Sequence, residues 1–256
     1  MCQLCLVNTR NKVLNQIFLL PLLQLDSASN QDGTGFLTVD EKATKNYLYK
    51  TKEAAYNMDE LGLDIRKNVM STKPVMAHVR AASKGIVVTD ENAHPFRGER
   101  FSLAHNGRLY KKDEEVTWNA TADDTSLASD SKQFLDELEK YAEENKKVDF
   151  LTMINAVMAE HKGKFALLIY DSMYDKHYVI RGSSAELHIT YLLEVPEAGG
   201  EPIALGFIVN TKKQQLDDAT TIVLQVAQAV TGKNLLLSKI EELKKDTCYE
   251  VVGNNL

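Results

Sequence analysis

Two helical patterns stand back to back in the middle of this chain, and four β-type runs follow with no helical pattern between them. Phe134, Leu135, Leu138 and Tyr141 recur at helical spacing within 130–145, and Leu151, Ile154, Val157 and Met158 do so within 150–161. Residues 165–170, 177–181, 187–193 and 203–209 then read as consecutive strands, separated by turn formers such as Asp175-Lys176 and Gly199-Gly200. A doubly wound parallel sheet needs a helix after nearly every strand. Helices and strands grouped in this way point to an α+β fold, with mainly antiparallel sheets covered by helices.

The rest of the chain fits that class. Residues 1–7 read as a strand and 12–25 as an amphipathic helix, with Leu14, Ile17, Phe18, Leu22 and Leu25 on one face. Pro21 inside it is expected to kink or break it. After a dense loop at 27–35, residues 36–39 and 46–50 suggest a hairpin, and 53–70 one or two helices. The polar stretch 111–125 reads as a loop or edge insertion. Residues 219–230 and 235–244 are expected to be helices and 248–252 a last strand. No internal repeat or linker divides the sequence, so one domain over 1–256 is expected.

Composition narrows the class of partner. A net charge of −6 is unlike the basic face of a nucleic-acid binder. No apolar run reaches the roughly eighteen residues of a membrane span. Three cysteines, Cys2, Cys5 and Cys248, make no disulfide framework and fit a reducing, cytoplasmic compartment. Cys2 and Cys5 form a C-x-x-C, but without a second pair of ligands it is a weak zinc or redox signal. On a strand the two would face opposite sides. Neither a metal nor a cofactor is expected. A rival reading treats the first 29 residues as a secretory signal, with Ser27-Ala28-Ser29 as the small-residue site. Asn15, Gln16 and Gln24 interrupt its apolar stretch, and helical periodicity runs through it.

The residues most suggestive of chemistry lie within 75–110, VMAHVRAASKGIVVTDENAHPFRGERFSLAHNGRLY. Two short apolar runs, 75–79 and 101–104, end in polar groups: Arg80 after the first, His105-Asn106-Gly107 after the second. A fixed cation and an Asn-Gly pair at strand ends suit a site where donors face a ligand. Each has a plainer reading too: Arg80 as a rim salt bridge, Asn106-Gly107 as a hairpin turn, Asp130 as a helix cap. The missing nucleophile is Cys2. Were Met1 removed, Cys2 would hold a thiol and an α-amine of reference pKa about 7.7–8.0 within one residue, and the amine could take the thiol proton. The plainer reading is a buried strand cysteine. His94 and His105 read as structural, and His78 as facing the sheet interior.

An N-terminal MC followed in order by VMAHVRAASKG, NAHPF, LAHNGRL and ASDSKQF resembles the class II glutamine amidotransferases, which are N-terminal-nucleophile hydrolases. The Asp32-Gly-Thr-Gly35 turn and, more weakly, RGSS at 181–184 add to the resemblance, which runs from Cys2 to about Ser184. It implies a four-layer αββα sandwich of two mainly antiparallel sheets. It also implies hydrolysis of the L-glutamine side-chain amide through a γ-glutamyl thioester, releasing ammonia. Carried over by position, Cys2 is the catalytic nucleophile, Asn106 and Gly107 form the oxyanion hole, Arg80 binds the substrate carboxylate and Asp130 its ammonium.

This sequence departs from the family pattern at Gln3, where many relatives have glycine, at Ser29, where synthase relatives carry arginine, and at Lys84, where some have histidine. After about residue 190 no phosphate-cradling glycine loop follows. The ammonia is therefore expected to go to an acceptor or synthetase partner protein, or to be released by a stand-alone amidohydrolase. Two alternatives remain: an N-terminal-cysteine amidohydrolase acting on a γ-glutamyl or other amide, and a non-catalytic binding module on the same scaffold.

Overall fold

A computed structural model describes residues 2–82, 88–112, 129–197 and 199–256. Lys84 and most of the polar stretch 111–125 lie outside the described residues. In chain order the elements are β1 (Gln3–Asn8), α1 (Lys12–Ser27), β2 (Thr34–Val39), β3 (Asn46–Thr51), a short 3-10 turn (Ala55–Asn57), α2 (Leu61–Asn68) and β4 (Val75–Val79). There follow β5 (Phe96–Arg97), β6 (Phe101–Lys111), α3 (Asp130–Glu144), α4 (Phe150–Ala159), β7 (His161–Asp171) and β8 (Lys176–Arg181). The chain ends with β9 (His188–Glu194), β10 (Ile203–Asn210), α5 (Lys213–Thr231), β11 (Leu235–Leu237), β12 (Glu241–Glu242) and β13 (Thr247–Glu250).

The strands form two antiparallel sheets. One runs β11-β9-β10-β1-β4-β2-β3, with β12 also on β9; the other runs β13-β8-β7-β6-β5. Alternation along β1 shows how they stack. Leu4 and Leu6 enter the core between the sheets with Met76, Ala104, Leu168 and Phe207, while Cys5 and Val7 face the helices. Leu14, Phe18 and Leu22 on α1, with Leu216, Ala219 and Val223 on α5, cover the outer face of the first sheet. Phe134, Leu138, Met153 and Val157 from α3 and α4 cover the outer face of the second. The result is helix, sheet, sheet, helix. Among the described residues, no helix is long and apolar enough to cross a membrane.

Helix α1 starts where Asn11 accepts the Val13 and Leu14 N–H groups at 2.9 and 3.2 Å. It runs unbroken through Pro21, because Phe18, Leu19, Leu22 and Leu23 are buried on both sides of the missing N–H. The segment with signal-like features is thus a core helix. Three other expectations are corrected. Residues 235–244 form β11 and β12, since pairing with β9 places Leu235 opposite Glu194 and Glu241 opposite Ile189. His161 opens β7 rather than closing the preceding helix. Residues 101–104 extend to Lys111, because the whole of β6 pairs with β7, Phe101 opposite Asp171 through Lys111 opposite His161.

Candidate active site

Position at the sheet centre brings the site together. Cys2 immediately precedes β1, which lies between β4 and β10. Gln3 pairs with Val79, so Arg80 stands beside Cys2 on one flank. On the other flank Thr211 Oγ1 accepts the Leu4 N–H at 3.2 Å, and the Thr211 N–H donates to the Leu4 carbonyl at 3.2 Å. The facing sheet supplies Asn106 and Gly107 from β6, and these line one cleft with Cys2. The cleft continues past Cys2 to Lys164, Glu186, Thr211 and Lys212. The sequence reading missed these four. Nothing local marks them; only the β1–β10 pairing, the course of β7 and the β8–β9 connection bring them near.

Cys2 Sγ accepts the Ala81 N–H at 3.4 Å and lies 3.5 Å from the Ala81 carbonyl. Burial raises the thiol above its ordinary pKa; the Ala81 N–H and the Arg80 charge pull it back, and Asp130 pushes it up. Arg80 and Asp130 are thus both near enough to act on the sulfur. Cys5, only 1% exposed, faces the helix-side core, so the C-x-x-C pair is divided between the two faces of β1.

Arg80 is 7% exposed, and its Nη1 is buried with no hydrogen-bond partner among the described residues. No carboxylate among the described residues lies within ion-pair distance, so it is not a rim salt bridge. Burial lowers its pKa, and the charges of Cys2 and Asp32 raise it. Its backbone is clamped by the Asp32-Gly33 turn. The Arg80 N–H donates to the Gly33 carbonyl at 2.8 Å, the Asp32 N–H to the Arg80 carbonyl at 3.1 Å, and the Ala82 N–H to Asp32 Oδ2 at 2.8 Å.

Asn106 and Gly107 sit inside β6 rather than in a hairpin turn. Gly107 has φ +128, and a Cβ there would lie 1.9 Å from the Lys164 carbonyl oxygen, so only glycine fits. Asn106 is buried, with its Oδ1 unpartnered. Asp130 opens α3 but does not cap it; Ser129 does, accepting the Lys132 N–H at 3.2 Å. The Asp130 carboxylate instead accepts the Leu109 N–H at 2.9 Å and the Ser131 N–H at 2.8 Å, which ties α3 to β6. Its side chain remains 36% exposed. His78, His94 and His105 are all buried between or beside these groups.

Comparison with known proteins agrees with the geometry. The family model for class-II glutamine amidotransferases matches residues 1–190. No curated protein sequence matches the chain. Among solved structures, the allosteric regulatory enzyme of purine biosynthesis superposes with a TM-score of 0.55 at 17% identity, over 98% of this chain and 46% of that one. The glutamine phosphoribosylpyrophosphate amidotransferase of B. subtilis, complexed with ADP and GMP, gives 0.53 at 15%, over 98% and 47%. At such identities these two share the fold, and this chain spans slightly less than half their length. Because that family model spans well over half of the sequence, and β1, β4 and β6 all lie inside the matched stretch, the chain belongs to the class-II glutamine amidotransferases.

Proposed function

We propose that the protein hydrolyses the side-chain amide of L-glutamine at Cys2, as one domain acting in a reducing, cytoplasmic compartment, and yields ammonia for an acceptor or synthetase partner. Burial opposes ionisation of the Cys2 thiol, so attack needs a base. Loss of Met1 would supply the α-amine of Cys2 itself. The sulfur adds to the amide carbon as the thiol proton passes to the amine. The side-chain amide of Asn106 and the N–H of Gly107 hold the oxyanion. The amine then protonates the leaving nitrogen, ammonia departs, and water cleaves the γ-glutamyl thioester to glutamate. Losing one such oxyanion donor costs about 2.7–4 kcal/mol of transition-state stabilisation.

One observation carries this reading: Arg80 beside Cys2 is a buried guanidinium with an unpartnered nitrogen. Such a group is costly unless a ligand anion pairs with it, and its fork matches an α-carboxylate bidentately. Asp130, held to β6 yet partly exposed, suits the substrate ammonium. The test combines a glutaminase assay with intact mass after treatment with a glutamine-like electrophile. One adduct on Cys2 and ammonia release are expected; no adduct and no ammonia would end the proposal.

A second reading has its own support. The cleft at Cys2 is also lined by Glu186, Lys212 and Lys164, and Lys212 follows β10, the neighbour of β1 opposite to β4. Charged groups there suit a leaving amine larger than ammonia, as in a γ-glutamyl amide. Lys212→Ala would then lower turnover of a γ-glutamyl peptide and leave glutamine hydrolysis intact. Equal effects on both substrates would remove this version.

A further inference from the structure

We propose that His78 is a positioning residue for the Asn106-Gly107 corner, holding the peptide ahead of Asn106 from the opposite sheet. The inference rests on the glutamine-hydrolase reading for its consequence, but not for its geometry.

His78 lies on β4, two residues before Arg80, and pairs with Leu4 on one side and Gly35 on the other. Directly paired residues of antiparallel strands face the same side, so His78 points with Leu4 into the space between the sheets. Its Nε2 lies 3.1 Å from the carbonyl oxygen of His105. That carbonyl belongs to the peptide joining His105 to Asn106. Among the described residues, its strand is paired on one flank only at this point, since β5 pairs with β6 at Ser102 and Leu103 and no further.

A carbonyl only accepts, so Nε2 must carry a proton and donate it. Burial, with help from the His105 and Arg80 charges, depresses the His78 pKa to about 3, consistent with a neutral ring. The imidazole is held in turn by His94, whose ring centroid is 4.2 Å away.

The far side of the corner is fixed as well. His105 Nδ1 lies 2.8 Å from Ser131 Oγ, which is 3.3 Å from Asp130 Oδ1. One chain of contacts therefore runs from β4, which leads directly into Arg80, through His105 to Asp130. The three groups assigned to the two ends of glutamine and to its oxyanion are locked to one another across both sheets.

The test compares His78→Leu, which fills the volume without a donor, with His78→Gln, whose amide N–H reaches a similar distance. Misplacement of a catalytic donor by a fraction of an ångström lowers turnover steeply, so His78→Leu is expected to reduce kcat for glutamine about tenfold or more, with KM little changed. His78→Gln should recover most of it. Backbone amide exchange at Asn106 and Gly107, read by NMR, should quicken in the leucine variant and return in the glutamine variant. An active wild type whose leucine variant keeps full kcat and unchanged corner amides overturns the inference. A wild type with no glutaminase activity removes the glutamine reading instead, and amide exchange then decides alone. Should the leucine variant not fold, the ¹⁵N shifts of His78 in the wild type still decide: a proton on Nε2 is required, and one on Nδ1 refutes it.

Discussion

Arg80 and Cys2 stand side by side at the adjoining ends of β4 and β1, and the guanidinium acts electrostatically on the sulfur while its own Nη1 has no partner among the described residues. An arginine kept buried in this state is bad for stability and useful for binding, and the two effects separate experimentally. Replacing it by Met keeps the aliphatic volume and removes the charge. Charge-assisted hydrogen bonds are worth roughly 1.5–3 kcal/mol, so losing the fork should lower kcat/KM for glutamine by about 100-fold, mainly through KM. Thermal stability of Arg80→Met should equal or exceed that of the wild type, because an unpaired buried cation is removed. A large fall in melting temperature would mean that the guanidinium serves the fold.

Cys2→Ala should abolish ammonia release with little change in melting temperature, since one sulfur is lost at the edge of a cleft. Cys2→Ser should be nearly as inactive: the hydroxyl is a poorer nucleophile, and the amine has a harder proton to remove. Retention of Met1, checked by intact mass on the same sample, should inactivate the wild type. Full turnover in protein that keeps Met1 would exclude the α-amine of Cys2 as the base.

Gly107→Ala tests the strand corner. The added methyl would meet the Lys164 carbonyl at 1.9 Å, and φ +128 is costly for any L side chain. Either β6 separates from β7 or the peptide rotates, and both move the proposed oxyanion donor. Activity should fall at least about 100-fold, with stability lowered by roughly 1–3 kcal/mol. Wild-type kcat in this variant would dissociate Gly107 from the reaction.

Where the sequence reading succeeded and failed follows the range of the interactions. Leu14, Phe18 and Leu22 announce α1 because a helix is a local structure, and its periodicity survives Pro21. The 235–244 stretch, with Leu235, Leu236, Leu237, Ile240 and Leu243, carries an equally helical pattern, but edge pairing with β9 overrides it. Asn106-Gly107 looks like a turn in isolation. Eleven residues of pairing with β7 keep it in a strand, and that partner lies some sixty residues away in the chain. Cys2, Arg80, Asn106, Gly107 and Asp130, the residues proposed for the site, were singled out through short motifs in family order. Lys164, Glu186 and Lys212 were not, because only the path of β7, the β8–β9 connection and the register of β1 with β10 bring them to the cleft.

Asp26 yields a prediction in the opposite sense to most carboxylates. It is 1% exposed near the end of α1, and its Oδ2 accepts the Asn210 amide at 2.9 Å. Asn210 pairs with Cys5, and its Oδ1 accepts the Lys212 N–H at 2.7 Å, so this carboxyl braces the strand junction behind Cys2. Burial raises its pKa to about 7, against smaller downward pulls from Asn210 and Lys212. A folded pKa above the unfolded one means that the folded state holds the proton more tightly. The stabilisation is full below about pH 4, declines as pH rises and is lost above about pH 7. Asp26→Asn keeps an acceptor for Asn210 and removes the titration. Urea midpoints of wild type and variant should therefore diverge between pH 4 and 8, with the wild type losing on the order of 3 kcal/mol relative to the variant. Titrations common to both chains cancel in that difference, so parallel curves across the range would show that Asp26 is ionised in the folded protein throughout.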